Sequence, residues 1–226
     1  TLDRSSAASD VYKRQLMICD VGDMDSVRSF AASWKARGAG RTQIDVLFNN
    51  AGLYLPNRVL SPQGYELMFA INHLGPFLMT NLLADEVAGG RVITTSSVAH
   101  SWGNVDLDDL DYAKGLWVPL RQYGTSKLCN VLFTRALKRR YDADGRGTFA
   151  ACFHPGAVGT GFGQDEQGFV NFGMRVIKPL ILTPEQGADT AIFLATTPDP
   201  TPFAGGYLSR RKLRTTFGQG TSDAVV

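Results

Sequence analysis

The sequence lacks the features that mark secreted, membrane-spanning and nucleic-acid-binding proteins. Its three cysteines show no CxxC spacing and lie in apolar or amphipathic stretches, so we expect reduced thiols in a reducing compartment, the cytoplasm by default. No apolar run approaches the roughly 20 residues of a membrane span, and no signal peptide is recognisable. The formal net charge is only +2, from 23 basic and 21 acidic residues, which indicates no nucleic-acid partner. Because the chain begins at Thr1, it does not decide whether the parent protein carries a targeting segment or a membrane anchor.

Metal ligands are also missing from the pattern. The three histidines, His73, His100 and His154, lack metal-ligand spacing, so we expect no metal site.

The 226 residues, 44% of them hydrophobic, suffice for one domain with a sizeable core. Residues 1–15 follow neither the strand nor the helix period, and we expect them to be disordered or artefactual. The domain then covers residues 16–226.

Short apolar runs alternate with amphipathic segments along the rest of the chain. This alternation predicts an α/β fold with a doubly wound, parallel sheet. Four helices are predicted: between Asp23 and Gly38, and over residues 63–87, 120–141 and 184–195. The second of these is expected to break near Gly75 and Pro76. The predicted strands cover residues 16–19, 44–48, 91–95, 148–153 and 206–208.

Tyr123 and Lys127 form the pattern with the clearest chemical meaning. Residues four apart lie on one face of a helix, so the lysine ammonium can approach the phenol. A nearby positive charge lowers the pKa of a tyrosine from about 10 toward neutrality, which suits it to act as an acid or a base. Taken alone, the pair is a weak signal, and a solvated helix face is the more common explanation.

Four further motifs occur in a fixed order around this pair. Residues 49–52 read NNAG after an apolar run, Asn72 lies within a helical region, Ser97 closes another apolar run, and residues 154–156 read HPG. The ordered set resembles the short-chain dehydrogenase/reductase family from residue 19 to residue 206. Residues 97–100, 127–133 and 154–156 are most similar to the branch of retinol dehydrogenases and WW-domain oxidoreductases.

The resemblance implies a catalytic role for four side chains. Tyr123 would exchange a proton with the substrate oxygen, and Lys127 would lower its pKa and bind the nicotinamide ribose. Ser97 would hold the substrate oxygen, because a hydroxyl at the carboxyl end of a strand faces the crevice where such sheets bind ligands. Asn72 would complete a proton relay through water. Each has a structural alternative: a capping serine, an amide that ties a kinked helix, or a surface lysine.

The resemblance also implies a nicotinamide cofactor, NADP or NAD, with NADP favoured by the branch. Asp20 and Val21 match the position that binds the adenine amine, although Asp20 is equally compatible with a turn at a strand end. Asn49, Ala51 and Gly52 match a segment that braces the central strand and approaches the cofactor. The implied cofactor contacts are Asp20, Val21, Asn49, Ala51, Gly52, Tyr123, Lys127, Pro155, Gly156, Val158 and Thr160.

Part of the family pattern does not occur in the chain. Relatives begin with a strand, a TGxxxGxG turn that seats the pyrophosphate, and a second strand that selects the cofactor. None of these glycines precedes residue 16, so we expect an incomplete Rossmann-type sheet that lacks its first two strands and the glycine-rich turn. The two strands would lie between the predicted strands at residues 16–19 and 44–48.

Two functions from different classes remain at this point. The first is an NAD(P)-dependent oxidoreductase that interconverts a carbonyl and an alcohol on an apolar, retinoid-like or lipid-like substrate, with a homodimer as in relatives. The second is a catalytically inactive fragment or a Rossmann-like interaction module.

Residues 159–179 mix glycine and apolar residues, as a mobile lid would. Apolar side chains near the site support the substrate class: Leu116, Trp117, Val118, Phe162, Phe169 and Phe172.

Overall fold

In the computed structural model, which describes residues 15–38, 42–156 and 183–221, a five-stranded sheet forms the centre of the described chain. The strands are β1 (Val46–Asn49), β2 (Arg91–Thr95), β3 (Phe149–Phe153), β4 (Tyr207–Ser209) and β5 (Lys212–Leu213). They are adjacent in sequence order. The first four pair in parallel, and β5 pairs antiparallel with β4.

Capping side chains mark where several of the helices start. Asp23 accepts a hydrogen bond from the backbone N–H of Asp25, and Thr183 and Gln186 form a reciprocal capping box. A π-helical turn, Ala70–Leu74, joins the second and third helices, and 3₁₀ turns cover Val98–Trp102, Thr201–Phe203 and Gly218–Thr221. The helices are α1 (Met24–Lys35), α2 (Leu67–Phe69), α3 (Gly75–Leu82), α4 (Pro119–Asp144) and α5 (Pro184–Thr196).

Helices cover both faces of the sheet. Successive strand residues point to opposite faces, so Val92 and Ala150 pack in one cluster with side chains of α4. Ile93 and Ala151 pack on the other face with Leu194 of α5. The predicted doubly wound, mostly parallel α/β fold is therefore confirmed.

The register aligns the carboxyl ends of the first three strands. Asn49 at the end of β1 lies opposite Thr94, and Thr95 at the end of β2 lies opposite Phe153. The segments that follow, residues 50–53, 96–97 and 154–156, therefore leave the sheet at the same edge. This is the edge at which doubly wound sheets bind ligands.

One predicted strand is wrong. Residues 16–19 form no strand, and the side chains of Leu16 and Ile18 are 93% and 89% exposed. A strand exists only where a neighbour takes its backbone hydrogen bonds, and in the described part of the chain β1 pairs with β2 alone. The apolar pattern of residues 16–19 was therefore not sufficient to form a strand.

Other differences from the predicted elements are small. The helix predicted to reach residue 87 ends at Leu82, and β5 was not predicted. The predictions for residues 1–14 and for a lid at residues 159–179 concern segments that lie largely or wholly outside the described residues. Of the described helices, none combines the length and the apolar character needed to cross a bilayer.

Candidate active site

The 3₁₀ turn Val98–Trp102 lies directly against α4, and this contact assembles the site. A Cβ atom at Gly124 would lie 2.6 Å from the carbonyl oxygen of Ala99, which is too close for any residue with a side chain. Gly124 follows Tyr123 and lies three residues before Lys127. The close approach therefore brings the end of β2 to the helix face that carries the predicted Tyr/Lys pair.

Ser97 and Tyr123 are hydrogen-bonded through their side chains. Ser97 follows β2 and caps the 3₁₀ turn, where its Oγ accepts a hydrogen bond of 3.2 Å from the backbone N–H of Ala99. This second bond fixes the orientation of the serine hydroxyl toward the phenol. The two predicted catalytic hydroxyl groups are therefore together in the structure.

Lys127 is almost completely buried, with 3% of its surface exposed. Its Nζ donates a hydrogen bond of 3.2 Å to the carbonyl oxygen of Thr95 and lies 5.7 Å from the ring centroid of Tyr123. Burial lowers the pKa of Lys127 to about 8, because the charged form loses hydration. The site thus contains an amine that titrates close to physiological pH.

The expected lowering of the tyrosine pKa does not occur in this geometry. Burial raises the pKa of Tyr123 above its usual value, and the hydrogen bond from Ser97 opposes that rise in part. The ammonium of Lys127 does not offset the loss of hydration, since it is directed to the carbonyl of Thr95. Helical spacing placed the two side chains on one face, but it did not determine where the ammonium points.

The side chain of Asn72 joins the loop after β1 to α4. Its Oδ1 accepts a hydrogen bond of 2.8 Å from the N–H of Leu53, and its Nδ2 donates to the carbonyl of Leu53 at 3.0 Å and to Ser126 Oγ at 3.1 Å. Both amide atoms therefore have protein partners. The structure places Asn72 near Lys127, since a Cβ at Gly52 would contact both side chains, and its relay role stays a prediction.

Two residues of the NNAG motif have distinct structural roles: Asn49 ties β1 to its neighbours, and Gly52 lies close to Asn72 and Lys127. Asn49 is buried, and its Nδ2 donates to Thr80 Oγ1 at 2.9 Å and to Thr94 Oγ1 at 3.4 Å. This ties β1 to α3 and β2, as expected of a bracing amide. Ala51 is exposed at the edge of the sheet. Gly52 lies close to the side chains of Asn72 and Lys127.

A Cβ atom at Gly52 would lie 3.0 Å from Asn72 Oδ1 and 3.2 Å from Lys127 Nζ. These distances are tighter than ordinary van der Waals contacts, so a side chain at this position would displace one of the two neighbours. The glycine therefore leaves a surface beside the lysine ammonium that other groups can approach.

The sequence comparison decides the family of this fold and site. The family model described as short chain dehydrogenase matches residues 6–109. Human polyprenol dehydrogenase is 34% identical over 223 residues, which cover 92% of this chain and 65% of the relative. Human retinol dehydrogenase 14 is 34% identical over 217 residues, with 89% and 59% covered. A crystal structure of an uncharacterised protein from Mycobacterium paratuberculosis superposes with a TM-score of 0.71 at 30% identity, covering 91% of this chain and 69% of that one.

The chain belongs to the short-chain dehydrogenase family. The predicted resemblance and its retinol-dehydrogenase branch are confirmed. The chain spans 65% and 59% of the length of these two curated relatives, less than two thirds in each case. Carbonyl reductase from chicken fatty liver, crystallised with NADPH, shares the fold with a TM-score of 0.62 at 22% identity, covering 91% of this chain and 78% of that one.

The predicted adenine contacts, Asp20 and Val21, lie next to the π-helical turn and the start of α3. Asp20 Oδ1 accepts a hydrogen bond of 2.8 Å from the N–H of Gly22, so the side chain forms the turn that was the alternative reading. The carbonyl of Val21 fills the space where a Cβ of Gly75 would be, so the segment that contains Asp20 and Val21 is held against α3. A contact of either residue with adenine stays a prediction.

The segment after β3 is described only in part. Pro155 and Gly156 lie next to the site and line a cavity with Val98, the residue after Ser97. Gly156 has a φ of +92°, a conformation that favours glycine. Two predicted cofactor contacts, Val158 and Thr160, lie outside the described residues.

Sequence reasoning missed two residues of the site. The ring of Tyr54 packs edge-on against Tyr123 at a centroid distance of 5.9 Å, and Asn130 Nδ2 donates to the carbonyl of Asn72 at 2.9 Å and of Thr95 at 3.1 Å. Asn130 had a detectable signal, because it is a lone amide within the apolar run that follows the lysine on the same helix. Tyr54 had none beyond its position two residues after the NNAG motif.

Among the described residues, no group of histidine, cysteine and acidic side chains is suited to a metal ion.

Proposed function

We propose that this protein is an NAD(P)-dependent oxidoreductase that interconverts a carbonyl and an alcohol on an apolar substrate. The observation that carries this proposal is the hydrogen bond between the side chains of Tyr123 and Ser97 beside the buried amine of Lys127. A phenol and a hydroxyl that bond to each other can both bond to one substrate oxygen.

The titration behaviour of the site favours its acid role. Because burial raises the pKa of Tyr123, the phenol is protonated at neutral pH and can give its proton to a carbonyl oxygen. Ser97 holds the same oxygen, and Lys127, with a pKa of about 8, is mostly charged at pH 7. In the opposite direction the phenolate accepts the proton of an alcohol, so oxidation is favoured at high pH.

The residues around Lys127 fit the nicotinamide ribose of a dinucleotide. Gly52 presents backbone without a side chain next to the lysine Nζ, and the ammonium can donate to ribose hydroxyls. The bound nicotinamide would supply or accept the hydride at the substrate carbon. The chicken carbonyl reductase was crystallised with NADPH, and a short-chain dehydrogenase from Burkholderia cenocepacia with NADP, so NADP is the first cofactor to test and NAD the second.

Two observations support an apolar substrate. Tyr54 adds an aromatic ring beside Tyr123. Trp117 is held at the loop that follows residues 49–52 by a hydrogen bond of 2.9 Å from its Nε1 to the carbonyl of Pro56. The names of the relatives refer to polyprenol and retinol, which are long apolar alcohols. Leu116 and Val118 are exposed next to Trp117, while Phe162, Phe169 and Phe172 lie outside the described residues.

Oxidation of NADPH in the presence of a panel of apolar aldehydes tests the proposal. We expect the Tyr123→Phe variant to lose at least about a hundredfold in kcat, because the proton donor is removed. Tyr141→Phe is the matched control, since this tyrosine lies on the same helix and its buried hydroxyl has no partner among the described residues. Full activity of Tyr123→Phe would disprove the assignment.

The rival reading, an inactive fragment or an interaction module, is separated by a cofactor titration. The fluorescence of NADPH changes when the dinucleotide binds, and the signal does not depend on any substrate. Saturable micromolar binding that Lys127→Met weakens would support the enzyme. Failure of both NADPH and NADH to bind would favour the rival.

A further inference from the structure

A cavity of about 520 Å³ lies beside Ser97, with the next residue, Val98, in its lining. Its walls come from the 3₁₀ turn Val98–Trp102, from the residues after β3 and from the hairpin of β4 and β5. Val98 and Phe217 supply apolar surface, and four side chains that can carry positive charge complete the lining: His100, His154, Arg210 and Arg214.

The charges of this cavity are of one sign. Among the described residues no aspartate or glutamate lines it, and neither Arg210 nor Arg214 forms an ion pair there. The neighbouring Arg211 differs, because its guanidinium is paired with the carboxylate of Asp189. Two guanidinium groups at one cavity, without an ion pair in the described part of the chain, favour a ligand with a negative charge.

The backbone that carries the first arginine is unfavourable. Arg210 and Arg211 form the two-residue turn between β4 and β5, with φ values of +52° and +59°. Turns of this kind usually contain asparagine or glycine, since a Cβ atom disfavours positive φ. Backbone strain of this kind is concentrated at functional sites, and here it places an arginine at the cavity.

His100 supplies a second, independent observation. Its side chain is only 2% exposed and packs edge-on against Tyr207 at a centroid distance of 4.7 Å. Nδ1 lies 2.7 Å from the carbonyl oxygen of Ser97, so this nitrogen carries the hydrogen and donates it. Nε2 is buried and has no hydrogen-bond partner in the described part of the chain. A buried polar atom of this kind requires a partner, and a ligand in the cavity can provide one.

We propose that this cavity is an anion subsite, in which Arg210 and Arg214 bind a carboxylate or phosphate group and the imidazole of His100, protonated at Nε2 once the anion is bound, donates a hydrogen bond to the same group. The apolar lining from Val98 and Phe217 would contact the alkyl part next to the anion. The substrate would then be an apolar carbonyl compound or alcohol with an acidic group. As a statement about the substrate this rests on the proposed oxidoreductase function, whereas the binding site itself does not.

Direct binding to the full chain tests the subsite without any reaction. Octanoate, octyl phosphate and octanol are titrated separately while the imidazole proton signals of His100 are followed by nuclear magnetic resonance. We expect at least one of the two anions to bind about tenfold more tightly than octanol and to shift the His100 signals. The tighter of the two anions identifies the acidic group as carboxylate or phosphate. If neither anion shifts His100 or binds more tightly than octanol, the proposal is wrong.

A double variant tests the two arginines. Arg210→Gln with Arg214→Gln should remove the preference for the anion, whereas Lys212→Gln, a charge removal in the same hairpin outside the cavity lining, should retain it. Equal losses in both proteins would indicate general surface charge and would overturn the proposal. Should the double variant fail to fold, the titration of the unmodified protein decides alone.

Turnover of matched aldehydes tests the substrate statement. We expect the kcat/KM for 10-oxodecanoate to exceed that for decanal by about tenfold, and the double variant to abolish this ratio. No turnover of either aldehyde would contradict the proposed function and leave the binding titration to decide the subsite. Equal turnover of both aldehydes would show that an anion bound there is no part of the substrate, which overturns that half of the proposal.

Discussion

The side-chain amide of Asn130 donates a hydrogen bond of 2.9 Å to the backbone carbonyl of Asn72. In a regular helix this carbonyl would bond to the N–H of the residue four positions later, but that residue is Pro76, which has no N–H. The helix widens into the π-helical turn at this point, and Gly75 bonds to Ala70 instead. An amide from α4 therefore satisfies the carbonyl that the proline leaves free, and this pins Asn72 beside Lys127.

Asn130→Ala should destabilise the protein by about 1 to 3 kcal/mol, because two buried carbonyls lose a donor. Asn57→Ala, at an exposed loop position, is the control and should change the free energy of unfolding by less than about 0.5 kcal/mol. Urea unfolding measures both. In a Pro76→Ala background, which restores the helical N–H, the cost of Asn130→Ala should fall. An unchanged cost in that background would contradict the compensation.

Ser97→Ala should move the tyrosine titration to higher pH. The hydrogen bond from Ser97 lowers the pKa of Tyr123, so its removal leaves only the burial that raises it. The alkaline rise of kcat for alcohol oxidation, and the phenolate absorbance of Tyr123, should both shift to higher pH. Ser101→Ala serves as the control, because that hydroxyl donates to the carbonyl of Val98. A shift to lower pH would refute this role of Ser97.

Lys127→Met should stabilise the fold while it abolishes activity. The pKa of Lys127 is about 8 in the folded protein and about 10.4 when unfolded, so the unfolded chain binds more protons between these values. The lysine therefore costs most below pH 8, by roughly 3 kcal/mol, and the cost declines as pH rises toward 10.

Urea unfolding of wild type and Lys127→Met at pH 7 and pH 9.5 measures this cost. The difference between the two proteins should shrink at the higher pH, and the contribution of the buried thiols cancels in that difference. Lys138→Met, at an exposed position on the same helix, should show no such pH dependence. A difference that does not change with pH would mean that burial does not lower the pKa of Lys127.

Gly75→Ala should destabilise the protein more than Gly64→Ala does. At Gly75 a Cβ would overlap the carbonyl oxygen of Val21, whereas Gly64 has open space and only a positive φ of +84°. We expect about 2 kcal/mol or more for the overlap, against about 1 kcal/mol for the conformational cost alone. Thermal unfolding compares the two. Equal losses would show that the segment with Asp20 and Val21 is not held against α3.

The sequence by itself determined the elements and the order of the catalytic residues. Apolar runs such as residues 91–95 became strands, and helical spacing put Tyr123 and Lys127 on one face, because both depend on near neighbours in the chain. The family and the doubly wound fold, both expected from the sequence, are confirmed. The assigned roles of the catalytic and cofactor-binding residues stay predictions.

Only the tertiary structure decided which of these groups are charged, paired or exposed. Residues 16–19 carry a strand pattern without a partner strand, and Tyr123 has a raised pKa although a lysine follows four residues later. The cavity beside Ser97 joins residues more than a hundred positions apart in the sequence. Burial, strand pairing and the direction of an ammonium group all depend on distant parts of the chain, so no local pattern specifies them.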